Sequence, residues 1–176
     1  MACPKPPAPV KFFTGILAAD PDAVQAAQER LEALWGPVDC RSGVQPWAYT
    51  DHYAAETGPE ILRCFLGFAG RADPGTLGAR KRETNRLESD LARDLARAWP
   101  RPVNLDPGYV APDKVVLASC KNYAHRIYLA DGVYAEVTLL FRRGAFETLP
   151  WTYPDYGSGA YETFFRDLRE RLMQER

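Results

Sequence analysis

Seven side chains able to carry ionic, acid–base or hydrogen-bonding chemistry fall in one stretch, from Val103 to Tyr156: Asn104, Asp106, Lys121, His125, Arg126, Glu136 and Asp155. His125 and Glu136 flank Asp131-Gly132, the dipeptide favoured in a two-residue type I′ turn, so HRIYLA and VYAEVTLLF should form a β-hairpin. That turn pairs Ala130 with Val133, Leu129 with Tyr134, Ile127 with Glu136 and His125 with Thr138. His125 is then diagonal to Glu136 on one face, a separation that long side chains bridge. A carboxylate beside an imidazole orients it and fixes its tautomer, as a general acid or base near neutral pH requires. His125 and Glu136 are therefore the candidate catalytic pair, set against a plain structural hydrogen bond on a half-exposed sheet.

The same register sends Tyr128, Ala130, Val133, Ala135, Val137, Leu139 and Phe141 toward the helices, and Arg126 with them. A buried Arg126 would need a carboxylate, which Asp106 or Asp155 could supply. Lys121 lies in CKNYA, a connection at a strand end, where its ammonium can hold an anionic group such as phosphate. Asp106 precedes Pro107-Gly108, so its carboxylate is expected to accept turn amides at the end of a short strand. Trp151, Tyr153 and Asp155 belong to the aromatic loop WTYPDY, which could wall a pocket for a planar ligand. With Asn104, these make Lys121, Asp106, Arg126, Trp151, Tyr153 and Asp155 the candidate ligand-binding set.

Several familiar chemistries are argued against. There is no GxxxxGK[ST] phosphate loop, no Gly-rich dinucleotide turn after the first strand and no GxSxG elbow. Cys3, Cys40, Cys64 and Cys120 stand singly, without zinc or dithiol spacing, and read as free buried thiols. A metal site would have to combine His52 or His125 with carboxylates such as Asp51, Asp106 or Glu136, a set suited to magnesium or manganese. No spacing supports it, so no metal ligand is assigned and no cofactor is identified. A net charge of -1 provides no field for nucleic acid or an anionic membrane. RNA binding through Arg80, Lys81 and Arg82 is accordingly the weakest reading. MACPKPPAPV has no apolar run of the kind that makes a signal or anchor, and a cytoplasmic location is expected.

The elements that must position these residues follow from pattern. Among the 176 residues 46% are apolar and 26% charged, the balance of a folded domain, here expected over residues 10–176 behind a disordered proline-rich tail, 1–9. VKFFTGILAA reads as a buried strand. Asp20-Pro21 then caps a helix with Val24, Ala27, Leu31 and Leu34 on one face. ILRCFLGFAG is a second strong strand, and Asp73-Pro74 opens a long helix with Leu77, Leu87, Leu91 and Leu95 inward. Its charged residues, from Arg80-Lys81-Arg82 through Glu88 to Arg97, read as a solvated face. KVVLAS precedes the hairpin, and Ser158 can cap a last helix bearing Tyr161, Phe164, Phe165, Leu168 and Leu172. The order predicts an α+β fold: a ferredoxin-like α/β sandwich with a βαββαβ-type core, extended by a C-terminal β-hairpin and helix.

VNLDPGY, AHRIYL…GVYAEVTL and LPWTYPDY, in that order, resemble a bacterial family catalogued as domain of unknown function 4416, along nearly the whole chain. The motif residues kept are Asp51, Tyr53, Thr84, Asn85, Asn104, Asp106, Lys121, His125, Arg126, Glu136, Tyr153 and Asp155. The resemblance supplies this motif map and no mechanism. Two functions remain. One is a site for an anionic small molecule, phosphate- or nucleotide-containing, with or without catalysis. The other is a non-catalytic binding or assembly module in which Trp47, Tyr53, Trp151 and Tyr153 contact another chain, a homo-oligomer included.

Overall fold

The computed structural model describes residues 3–50 and 53–174; Asp51 and His52, considered above as metal ligands, lie outside the described residues. The fold is built on β1 (Lys11–Ala18), all eight of whose residues are buried. It lies between β4 (Ile61–Phe68) and β5 (Val103–Ala111), antiparallel to both. β2 (Val38–Arg41) and β3 (Gln45–Trp47) both pair with β4. Beyond β5 come β6 (Lys114–Ser119), β8 (Val133–Arg142) and, at the edge, β7 (Ile127–Ala130), while β9 (Ala145–Thr148) pairs the far end of β8. The result is a mixed α+β fold whose nine-stranded sheet runs β2-β4-β1-β5-β6-β8-β7, larger than a four-stranded core.

Helices cover both faces. α1 (Pro21–Trp35) starts as its sequence dictates: the Asp20 carboxylate accepts the Ala23 N–H at 2.8 Å and Pro21 occupies the first turn. With α3 (Leu77–Leu95), α1 buries Ala27, Leu31, Leu87 and Leu91 against Ile16, Cys64, Leu66, Val103 and Leu105. On the opposite face α5 (Glu162–Gln174) packs Phe164, Phe165 and Leu168 on Phe13, Phe65, Val110 and Leu117. Two short helices, α2 (Ala54–Thr57) and α4 (Pro154–Gly157), sit in the connections. No helix among the described residues is long and apolar enough to cross a membrane.

Four expectations are corrected. Asp106-Pro107-Gly108 makes no turn: all three lie inside β5, opposite Gly15, Thr14 and Phe13 of β1. Pairing with a buried central strand overrides the local turn preference. Pro107 also sits one residue beyond the last β5–β6 pair, Gly108↔Leu117, where a missing N–H breaks no β6 ladder bond. The Asp131-Gly132 turn is present, with φ of 51° and 77° as type I′ needs, but the ladder pairs Ala130 with Val133 and then Tyr128 with Tyr134. Leu129 is thus a bulge, and every pair beyond it is shifted by one. Thr138 is a second bulge, because Val115 and Val116 face Leu139 and Val137, so Val133 and Leu139 pack into different cores. Ser158 caps nothing at α5; its hydroxyl donates to Asp155 O at the end of α4. Finally, Cys120 is exposed, as is Cys3, whereas Cys40 and Cys64 are buried.

Gly108 is required by close approach. A Cβ there would lie 2.5 Å from Val116 O and 2.7 Å from the Phe13 ring, just where β5 and β6 part. Gly108→Ala should therefore destabilise the fold by about 2 kcal/mol or more through forced strand displacement. Urea unfolding checks this, and an unchanged midpoint would show that the two strands yield.

Candidate functional site

The β5–β6 ladder runs from Ala111↔Lys114 to Gly108↔Leu117 and stops. β5 continues to Val103 against β1 alone, and β6 continues to Ser119 against β8. Between the parted strands lies a cavity of about 770 Å³, walled by β5, the end of β6, α3, the 119–126 connection and the 151–156 segment.

A parted ladder leaves backbone groups without partners, and buried ones must find them elsewhere. Two α3 side chains supply what β6 does not. Glu88 Oε1 accepts the Leu105 N–H at 2.7 Å, and Lys81 Nζ donates to Leu105 O at 2.7 Å. Lys81 and Glu88 are both buried, which corrects the reading of this helix surface as solvated. The same substitution occurs across the cavity on β8, between its β7 and β9 segments. There Trp151 Nε1 donates to Val137 O at 2.8 Å, and the Thr152 hydroxyl to Thr138 O at 2.6 Å.

Inside the cavity the charges neutralise one another. Arg101 donates to Glu88 Oε2 from Nε at 3.0 Å and Nη2 at 2.7 Å, and also to Asn104 Oδ1. Asn104 Nδ2 donates to Asp106 Oδ2 at 2.8 Å, while Lys81 Nζ stands 3.5 Å from Asp106 Oδ1 and Arg63 Nη1 3.9 Å from Oδ2. Burial pushes the Asp106 carboxyl up, but Lys81, Arg63, Asn104 and Arg101 outweigh it and hold the group below the ordinary aspartate range. For Glu88 burial wins over Lys81, Arg101 and the Leu105 amide, and its carboxyl is raised.

Arg63 projects from β4 with its side chain 4% exposed. Its Nη2 donates to Asp155 Oδ2 at 2.9 Å, the oxygen that also accepts from Trp47 Nε1 at 3.0 Å and Tyr161 Oη at 3.3 Å. Burial opposes the Arg63 charge, yet Tyr156, Asp155 and Asp106 hold it protonated. Its Nε and Nη1 and the Tyr156 hydroxyl are buried without a hydrogen-bond partner among the described residues. Asp155, placed by the sequence on a loop, is thus committed to a buried ion pair in α4.

The mouth is organised by Glu136, 3% exposed. Its Oε2 lies 3.0 Å from His125 Nε2 and accepts Arg126 Nε at 2.6 Å. The expected His125–Glu136 contact is present, though His125 lies in a turn ahead of β7 rather than opposite Thr138. Arg126 is reassigned: its carboxylate is Glu136, not Asp106 or Asp155. It also donates from Nη1 to Ser119 Oγ at 2.9 Å and Lys121 O at 2.8 Å, and from Nη2 to Tyr153 Oη at 2.6 Å. Arg126 therefore fastens the connection and the 151–156 segment to β8. The His125 ring is flanked by Trp151 at 5.2 Å and Tyr123 at 6.0 Å, nearly parallel to both. Burial, reinforced by the Glu136 charge and opposed by Arg126, raises the Tyr153 phenol. Lys121 is exposed at the rim, and no carboxylate among the described residues lies within ion-pair distance of it.

The fold brings all nine candidate residues to this one cavity: Asn104, Asp106, Lys121, His125, Arg126, Glu136, Trp151, Tyr153 and Asp155. Sequence reasoning missed Arg63, Lys81, Glu88 and Arg101. Leu77, Lys81, Thr84, Glu88 and Leu91 recur at i, i+4, i+7, i+11 and i+14, a buried stripe that passes through both ions. Arg63 shared the inward parity of Phe65 in an otherwise apolar strand. Among the described residues no group of three or more His, Cys, Asp and Glu is disposed to hold a metal ion.

These sites sit on motifs whose family can now be stated, since the match runs over residues 8–172 of the chain. The chain belongs to the family described as Domain of unknown function (DUF4416). No match was found among curated proteins or among solved structures.

Two outcomes test the electrostatics. Asp106 has a depressed carboxyl, so its contribution to stability is present above about pH 4 and lost as pH falls through its folded value; Glu88, raised, contributes below about pH 4.3 and loses that as pH rises. Between pH 3 and 7, Asp106→Asn should flatten the rise of unfolding free energy with pH, and Glu88→Gln should steepen it. Parallel curves for both variants and wild type would contradict the assignment. At the mouth, Glu136→Gln leaves Arg126 buried without its counter-charge and should cost about 3 kcal/mol. His125→Ala should cost roughly 1 kcal/mol, a difference that denaturant titration resolves.

Proposed function

We propose that the cavity is a binding site for an anionic, phosphate-containing small molecule. The observation carrying this is the charge arrangement. Arg63, Lys81, Arg101, Lys121 and Arg126 face Glu88, Asp106, Glu136 and Asp155, and among the described residues the cation left over is Lys121 at the open rim. An uncompensated ammonium on a strand-end connection is free to meet an anion, whereas the inner cations are already engaged. His125, oriented by Glu136, stands beside it and supplies a proton donor or acceptor should the ligand react. Supporting a ferredoxin-like core is the order β2-β4-β1-β5, with α1 joining β1 to β2 and α3 joining β4 to β5. The single continuous sheet supports reading residues 10–176 as one domain.

An assembly role draws on a different feature. Ile127 is 72% exposed on β7, a sheet edge with Tyr128 and Leu129 also open and no charged residue within the strand. Trp47 leaves the proposed interface set, being buried with its indole N–H on Asp155.

Calorimetry with phosphate-containing metabolites tests the primary reading. Wild type should bind at least one with Kd below the millimolar range, and Lys121→Met should weaken it about tenfold, the loss of one charge-assisted contact. Equal binding by the variant would remove Lys121 from the site. Light scattering separates the readings: a concentration-independent monomer sinks assembly through β7.

A further inference from the structure

The two ends of the cavity ask opposite things of a ligand. Asp106, on the inner wall, has a side chain 30% exposed. Among the described residues its hydrogen-bond partners are Asn104 on Oδ2 and Lys81 on Oδ1, with Arg63 Nη1 at 3.9 Å from Oδ2, while an ionised carboxylate has about four acceptor positions. A ligand reaching Asp106 must therefore donate. Phosphate or carboxylate oxygens there would meet an ionised, acceptor-only group. Around it, Glu88 is matched by Arg101, and Asp155 by Arg63. A neutral group that both donates and accepts fits this lining, and hydroxyls do both. At the rim the requirement reverses, since Lys121 has donors only and, among the described residues, no carboxylate in reach.

The aromatic rings narrow the choice further. His125 stacks nearly parallel to Trp151 and Tyr123, and Trp47 packs on Tyr49 and Tyr53 at 5.9 and 5.6 Å. Rings already in contact with one another hold no slot between them for a flat base. Polyphosphate recognition is also poorly served, because a triphosphate brings several negative charges to a rim with one uncommitted lysine among the described residues.

We propose that the ligand is a monophosphorylated polyol or sugar, with its hydroxyls on Asp106 and the Asn104–Arg101 network and its single phosphate on Lys121. This rests on the binding reading above and specifies its chemistry. Asp106 and Lys121 are then specificity residues of opposite sense, one rejecting anions from the inner wall and one drawing a single anion to the mouth.

The test uses the full chain with Cys3→Ser, so that Cys120, exposed on the cavity wall, is the accessible thiol for maleimide labelling. Ligands are a pentose 5-phosphate, a hexose 6-phosphate, the two free sugars, inorganic phosphate and a nucleoside triphosphate, each also titrated by calorimetry. The expected result is protection of Cys120 and binding by a sugar phosphate about tenfold or more tighter than by its free sugar or by phosphate. Lys121→Met, a change at an exposed position that should fold, should bring the sugar phosphate down to the level of the free sugar. Tightest binding by the triphosphate or by phosphate itself, or no loss in Lys121→Met, overturns the inference. If no sugar phosphate binds but another phosphate-containing metabolite protects Cys120, the sugar assignment falls and the binding reading stands. If neither these ligands nor a broad metabolite mixture protects Cys120 or gives heat, both fall.

Discussion

Leu105 is the residue on which the architecture turns. Its N–H and C=O point away from β1, toward the side that β6 has left, and in a regular antiparallel ladder both would bond to a neighbouring strand. Here a carboxylate and an ammonium from α3 take that place. Burying two ions beneath a sheet is costly unless each is paired and hydrogen-bonded. The backbone of Leu105, Arg101 and Asp106 provide those partners. At Leu105 the opening between β5 and β6 is thus closed by side-chain hydrogen bonds rather than left as a packing fault. Trp151 and Thr152 perform the equivalent service for β8, so both long walls of the cavity are finished by side chains.

This arrangement explains why so many polar residues line the cavity while few are free to act. Lys81, Glu88, Arg101 and Asn104 are occupied with one another and with backbone. Arg63 and Asp155 form a buried pair that anchors α4 to β4, and Arg126 ties the 119–126 connection and the 151–156 segment to Glu136. Among the described residues, the groups that retain capacity and are not fully buried are the Asp106 carboxylate, the His125 edge and Lys121, while Arg63 Nε and Nη1 and the Tyr156 hydroxyl lie buried beneath them. Scaffold and site are therefore separable in principle: changes to the first group should act on stability, and changes to Lys121 on binding.

Much of the fold was legible where local and long-range preferences agree. β1, α1, β4, α3 and the Asp131-Gly132 turn carry continuous apolar runs, caps or a required positive φ, and each formed as read. The larger departures, at Asp106-Pro107-Gly108 and at Lys81 and Glu88, share a cause, since each depends on a partner distant in sequence. Asp106-Pro107-Gly108 has the composition of a turn, but β1 holds it straight. The bulges at Leu129 and Thr138 arise from how β7 and β6 seat on β8, and they undo any register counted from the turn. Lys81 and Glu88 looked solvent-facing because charge is the strongest surface signal a sequence offers; only the break in the ladder makes their burial favourable. The His125–Glu136 contact was legible despite the wrong register, because the turn brings the two close in either one. Arg126 was misassigned since its face was counted through a bulge.

Side chains replace a strand at Leu105, and amide hydrogen exchange reads that bond directly. In wild type the Leu105 N–H should exchange as slowly as its buried neighbours in the β1–β5 ladder. In Glu88→Ala it should exchange many-fold faster while the amides bonded between β1 and β5 keep their protection. A Leu105 amide equally protected in both proteins would show that the bond to Glu88 does not close the sheet, and would contradict the account.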